Sequence, residues 1–392
     1  MSRIGEIDEL LRRATERGDV PGVIAVATSA HDTLYEGAFG LRRLGTSAPM
    51  SLDTVCWIHS MTKALTAACC MQLVEEGRIG LDEDCGRWQP ALAAPRVHEG
   101  FDAAGTPILR PARGQITLRR LLTHTSGFVY DTWNARQNAY VAKVRMPRWQ
   151  TFQRPEDCLP LDFDPGARWE YGVGIDWAGK VLEAVTGTTL DDYMQKNLIG
   201  PLGMTATGYR LRPELSARLS GVHQRDLMGR LAAVDFEPAQ RPEEFLGGGG
   251  MYGTAGDYIR FIRMMLNGGA LDGVRVLRPE TVATMGENHI GDLEAGVLRT
   301  QRPAMSADAN FFPGLPQRWG LSFLINMADV PGRRRAGSLC WAGLRNTYFW
   351  IDPKSGIGGT IMMQLLPFAD PASVALYERF EAAVYRAFAS RG

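Results

Sequence analysis

Apolar and polar positions repeat along this chain with two periods, near 3.6 and near 2, and the switches between them mark its elements. Ile4, Ile7, Leu10 and Leu11 recur at helical spacing with charged residues between them, which predicts an amphipathic surface helix near the N-terminus. Residues 22–43, GVIAVATSAHDTLYEGAFGLRR, begin β-branched, alternate, and turn at His31-Asp32. That pattern predicts a hairpin of an antiparallel sheet. Residues 60–76 are apolar on most helical faces, through Ala64, Leu65, Ala67, Ala68, Met71, Leu73 and Val74. Such a helix belongs in the interior of a large protein. Glu75 and Glu76 mark its wet end, and Gly77 suits a left-handed C-cap.

Residues 82–244 are rich in Pro, Arg and Trp, with helical patterns at 117–123, 174–186 and 189–198 and no strong strand alternation. Periodicity changes again at residue 247, where GGGGMYGTAGDYIRFIRMMLNGG reads as a glycine loop followed by a helix. RWGLSFLINM, GSLCWAG, NTYFWIDP and IGGTIMMQLLP follow as short aromatic or β-branched runs, and a helix over about 371–389 closes the chain. The expected architecture is α/β plus α. An antiparallel sheet with N- and C-terminal helices comes from 1–58 and 245–392, and a mainly helical domain from 59–244.

Composition narrows the function. The 392 residues carry 43 basic and 43 acidic side chains, so no field of one sign invites nucleic acid or an anionic membrane. Near-neutral charge gives little colloidal repulsion and leaves a homo-oligomer open. No run of about 18 apolar residues marks a membrane span. The N-terminal stretch lacks a signal peptide's apolar core and cleavage site, so a cytoplasmic protein is expected. Cys56, Cys69, Cys70, Cys85, Cys158 and Cys340 show no metal-ligand or CxxC spacing. They read as reduced packing residues, and neither a metal nor a cofactor is expected.

The chemistry concentrates at the head of the apolar helix. Ser60 and Lys63 share one helical face, which brings Oγ and Nζ within hydrogen-bond reach. A serine hydroxyl is a weak nucleophile without an adjacent base. Burial disfavours an ammonium and makes a lysine a better base. The helix N-terminus adds the Ser60 backbone N–H as a donor for a developing oxyanion. Alone, Ser-x-x-Lys is a common tetrapeptide and most often a solvated helix start.

Five blocks in a fixed order change its weight: VCWIHSMTKALTAACCMQLVEEGRIGLDEDC, LRRLLTHTSGF, FDPGARWEYGVGIDWAGKVLEAVTG, GGGGMYGTAGDYIRF and WAGLRNTYFWID. Together they resemble the serine β-lactamase and penicillin-binding-protein superfamily over about residues 5–390. Family VIII carboxylesterases and class C β-lactamases look closest. The resemblance implies a β-lactamase-like fold with the active site at the seam between its two parts. It makes Ser60 the nucleophile, Lys63 its partner and Tyr171 the residue that returns a proton to the leaving group. Which of Lys63 and Tyr171 takes the first proton stays open, because a shared proton belongs to the group. The backbone N–H groups of Ser60 and Leu344 form the implied oxyanion hole. Where β-lactamases have Lys-Thr-Gly, this chain has Trp341-Ala342-Gly343, as the esterases do. An indole in place of that cation favours neutral, apolar groups, with Arg345 as a partial replacement. Gly172 and Val173 stand where class C enzymes carry a residue and then an Asn that binds the lactam side chain. Tyr130 matches an aromatic lining the esterase pocket. Tyr130, Trp341, Gly343 and Arg345 thus form the expected substrate-binding set.

Other signals rank lower. Gly248-x-Gly250-x-x-Gly253 fits a dinucleotide fingerprint, but no buried strand precedes it, so these glycines are read as letting backbone approach the active-site wall. His124 is read as a structural hydrogen-bonding histidine. GRRRAG, 332–337, reads as a solvated turn near the Trp341 strand, with a part in binding acidic groups as its sharper reading. No Gly-x-Ser-x-Gly elbow or His-Glu-x-x-His motif is present. The expected activity is hydrolysis of small neutral carboxylic esters, a small-molecule substrate being the only partner implied. The rivals are amide or β-lactam hydrolysis, acyl transfer to an alcohol or amine, and a non-catalytic sensor that merely acylates.

Overall fold

The structure, a computed structural model, describes residues 2–144, 158–236 and 244–389. Seven antiparallel strands form one sheet in the order Gln317–Trp319, Leu324–Asn326, Leu339–Gly343, Thr347–Asp352, Ile357–Met362, Gly22–Ser29 and Thr33–Gly40. The two ends of the chain meet in register, Ala25 opposite Ile361 and Val26 opposite Thr360. Alternation sends neighbouring side chains to opposite faces. Tyr348 and Trp350 therefore receive Tyr377 and Phe380 of the C-terminal helix Pro371–Phe388. Phe349, on the other face, meets Tyr258 of the helix Ala255–Leu266. Gly358 and Gly359 permit that packing: a Cβ on Gly358 would sit 2.4 Å from Ile262 Cγ2, and one on Gly359 2.3 Å from Trp350.

The apolar helix runs Thr62–Glu75, every residue from Thr62 to Leu73 is buried, and Gly77 takes φ +67. Packed against it is the helix Gly174–Thr186, closed by Gly187 in the left-handed conformation. The 189–198 pattern splits into the α-helix Leu190–Met194 and a π-helical turn, Gln195–Ile199. Residues 82–244 also hold strands that the pattern did not announce: Arg96–Phe101 pairs with Pro107–Pro111, and Val222–Arg225 with Leu231–Val234. These pairs are half-exposed, so one face carries no apolar row to read. GRRRAG is a turn with Gly332, Arg335 and Gly337 exposed, but its middle arginine is not solvated. Arg334 is 1% exposed and held by Glu381 at 2.8 Å, while Arg333 and Arg335 pair with Glu378 and Asp329. The acidic groups it binds are the chain's own. All six cysteines are free thiols, five of them buried. Among the described residues no helix is long and apolar enough to cross a membrane.

Candidate active site

Ser60 sits on a 3-10 turn, His59–Met61, immediately before the apolar helix rather than on its first α-helical turn. Three elements pin that turn. Gln364 brackets Trp57 by donating to its carbonyl and accepting from its N–H, both at 3.1 Å. Tyr258 donates to the Met61 carbonyl at 3.0 Å. Gly343 closes in from the sheet, where a Cβ would stand 2.4 Å from the Ile58 carbonyl oxygen, so only glycine lets the Leu339–Gly343 strand end beside Ser60. His59 adopts φ +46, a costly conformation for a non-glycine residue that these contacts enforce.

Lys63 is fully buried, and its Nζ has three partners: Ser60 Oγ at 3.1 Å, Tyr130 Oη at 3.0 Å and the Gly248 carbonyl at 2.6 Å. One turn of helix thus supplies the Ser–Lys contact, and the glycine loop supplies an acceptor. Behind them lies Asp176, buried on the helix Gly174–Thr186. It accepts from the Gly248 N–H at 2.8 Å and a long 3.5 Å contact from Tyr130 Oη. Glycine at 248 lets the carboxylate come this close, because a Cβ would meet Asp176 Oδ2 at 2.4 Å and push it away. Burial raises the Asp176 carboxyl above the usual range, and the Lys63 charge opposes that shift. Burial, then the neighbouring Asp176 charge, drives the Tyr130 phenol well above its ordinary value, so it stays protonated. Asp176 was missed from the sequence. The available signal was a carboxylate in the first turn of a largely apolar helix, five residues after Tyr171.

Tyr171 is 3% exposed and accepts a hydrogen bond from Trp341 Nε1 at 3.2 Å. Its ring centroid lies 5.0 Å from Lys63 Nζ. Hydrogen bonding to Lys63 therefore falls to Tyr130, while Tyr171 reaches Lys63 through its ring face. Trp341 is wedged against Tyr171, Phe311 and Trp319. His124 accepts from the Gly172 N–H through Nδ1 at 3.3 Å and is kept neutral, first by burial and then by the Lys63 charge. It is tied to the backbone beside Tyr171.

Ser60, Tyr130, Tyr171, Trp341, Gly343, Leu344 and Arg345 all line one cavity of about 620 Å³. Lys63 lies just beneath that wall. Met305 is the contribution of the 296–318 segment, with Phe311 behind Trp341. Arg345 is only 4% exposed and lies between the rings of Trp57 and Phe236. A serine hydroxyl, a buried amine and two phenols thus meet at a mostly apolar chamber, an arrangement chemically able to form and discharge an acyl-serine.

The sequence profile of the beta-lactamase family matches residues 7–384. Monacolin J acid methylbutanoyltransferase of Aspergillus terreus is 34% identical, over 97% of this chain and 95% of its own. Lovastatin esterase of Penicillium rubens is 32% identical, over 98% of this chain and 99% of its own. The solved structure of unliganded simvastatin synthase from Aspergillus terreus has a TM-score of 0.87 at 32% identity and covers 100% of both chains. With both sequence and fold shared almost end to end, the chain belongs to the beta-lactamase family, within the superfamily of serine β-lactamases and penicillin-binding proteins.

Proposed function

We propose that the protein is a serine carboxylesterase, related to the family VIII branch, that cleaves esters through an acyl-enzyme on Ser60. The observation that carries this reading is the 3.1 Å contact between Ser60 Oγ and a Lys63 Nζ buried from solvent. Oγ attacks the ester carbonyl carbon, and its proton passes into the Lys63–Tyr171 pair. The backbone N–H groups of Ser60 and Leu344 receive the oxyanion. The C–O bond breaks, the alcohol leaves with a proton from Tyr171, and water cleaves the acyl-serine by the reverse proton route. Tyr130, held as a phenol, orients the amine rather than titrating.

Trp341 occupies the place of the lactamase cation and turns its N–H onto Tyr171, which favours an apolar acyl group over a β-lactam. Ser60→Ala is expected to abolish turnover of p-nitrophenyl butyrate without altering the fold, and mass spectrometry after a fluorophosphonate should place the adduct on Ser60. Unchanged turnover in that variant would remove the mechanism.

A second reading, acyl transfer to an alcohol, is favoured by the similarity to a methylbutanoyltransferase and by a cavity large enough for two small-molecule partners. Product analysis with an added alcohol separates it from hydrolysis: new ester growing with alcohol concentration indicates transfer.

A further inference from the structure

We propose that Arg345 seats a carboxylate carried by the substrate, so that the natural ester, or the alcohol that accepts its acyl group, is an organic acid. This rests on the acyl-transfer chemistry assigned to Ser60 and deepens it by naming a substrate class.

A buried guanidinium normally faces a carboxylate of its own chain. Arg334 shows the rule here, with Glu381 on both its Nε and Nη2. Arg345 breaks it. Only 4% exposed, its guanidinium makes no hydrogen bond or ion pair among the described residues, and Nε is buried without a partner. The rings of Trp57 and Phe236, at 4.5 and 4.7 Å, hold the group without neutralising it. Burial pulls its pKa down to about 10, which leaves it cationic at neutral pH.

Its position points to substrate. Arg345 lines the same cavity as Ser60 and also a second one of about 590 Å³ shared with Arg42 and Arg43. Asp235, which lines both, is engaged by Arg43 at 2.6 Å. His59, next to Ser60, is kept neutral first by burial and then by the Arg345 charge, which marks how near this guanidinium lies to the Ser60 turn. A planar fork whose N–H groups meet no acceptor among the described residues matches a carboxylate in bidentate fashion.

The test uses two matched pairs of esters. One carries the acid on the acyl side: mono-p-nitrophenyl glutarate against p-nitrophenyl pentanoate. The other carries it on the alcohol: 4-carboxyphenyl butyrate against its methyl-ester analogue. Each kcat/KM is normalised to hydroxide hydrolysis of the same ester. The wild type is expected to favour the anionic member of one pair by about tenfold or more, and that pair identifies where the acid sits. Arg345→Met should bring the ratio near one, and Arg345→Lys should keep part of it. A wild-type ratio near one in both pairs, or a ratio that Arg345→Met leaves unchanged, overturns the proposal. Turnover of the neutral esters, with Ser60→Ala as control, judges the acyl chemistry separately. If no ester is cleaved, thermal shifts with glutarate and benzoate still decide: stabilisation of the wild type but not of Arg345→Met supports the site, and equal or absent shifts refute it.

Discussion

Asp176 offers the sharpest test of how the nucleophile is activated. Asp176→Asn preserves shape and keeps an oxygen for the Gly248 N–H, while the new amide can donate to Tyr130. What it removes is the negative charge behind Lys63. Two contacts through Tyr130 Oη, of 3.0 and 3.5 Å, bound the separation from Nζ to the carboxylate oxygen at about 6.5 Å when laid end to end. At that distance and an effective dielectric of about 20, the attraction is ~2.5 kcal/mol, or about 2 pH units.

The sign follows from the mechanism. On the proposed mechanism, Ser60 must give its proton to the Lys63–Tyr171 pair, which needs that pair to have room for it. Loss of the Asp176 charge removes an attraction for a proton held by that pair, so the acid limb of the variant's activity profile should lie about 2 units below the wild type's. Because burial raises Asp176's own titration, the two profiles should converge at low pH, where the wild-type carboxyl is also neutral. The assay is kcat/KM for p-nitrophenyl butyrate from about pH 5 to about pH 9, each enzyme normalised to its own plateau. Fluorophosphonate titration of active sites controls for folding. A limb that stays put or moves upward would refute an electrostatic hold on the base.

Other expectations follow from the same geometry. Tyr171→Phe should lower kcat by about 10²–10⁴, as loss of a proton-transfer group does; Tyr130→Phe should cost only about tenfold, as loss of one positioning hydrogen bond does, and the reverse order in steady-state kinetics would exchange the two roles. Gly248→Ala forces the Asp176 carboxylate off the loop and should lower kcat by about tenfold or more with KM little changed; wild-type kcat would show that this contact is idle. Glu381→Gln leaves the fully buried Arg334 uncompensated and should cost about 3 kcal/mol or more in urea unfolding, with kcat per folded molecule unchanged. An unfolding midpoint equal to wild type would contradict that account.

What could be read in the sequence was what local patterning controls. The helix at 174–186 has the bounds its periodicity predicts, and the strands Thr347–Asp352 and Ile357–Met362 announced themselves because both of their faces are buried. The hairpin at 96–111 stayed hidden because its exposed positions admit Arg96 and Glu99, and Pro107 and Pro111 break the strand signature; that at 222–234 stayed hidden because His223, Gln224 and Arg225 interrupt any apolar row, Arg225 being spent on Asp370. At the site, the Ser60–Lys63 pair is local, one helical turn, and was legible. The carboxylate behind it was not. Asp176 reaches Lys63 through Gly248 and Tyr130, residues scattered along the chain, and only the fold fixes those contacts. Arg345 could be placed near the pocket from its block, but that its guanidinium meets no carboxylate among the described residues emerges only from the fold.

That lack bears on how one scaffold serves different acyl compounds. A lysine at position 341 would aim its charge at the wall formed by Tyr171, Phe311 and Trp319. Here that wall is closed by an indole whose N–H is consumed by Tyr171. Four residues later the cation reappears with different neighbours, Trp57 and Phe236. The two sets share no member, so the charge has moved from one face of the chamber to another. An anion drawn to it would approach Ser60 from the Trp57 side, leaving the Trp341 side for apolar groups. Lys63 cannot compete for that anion, since all three of its donor directions are taken inside the protein. On this proposal recognition of the acid falls to Arg345 and activation of Ser60 to Lys63, so Arg345→Met should change substrate preference while leaving the Ser60–Lys63 contact in place.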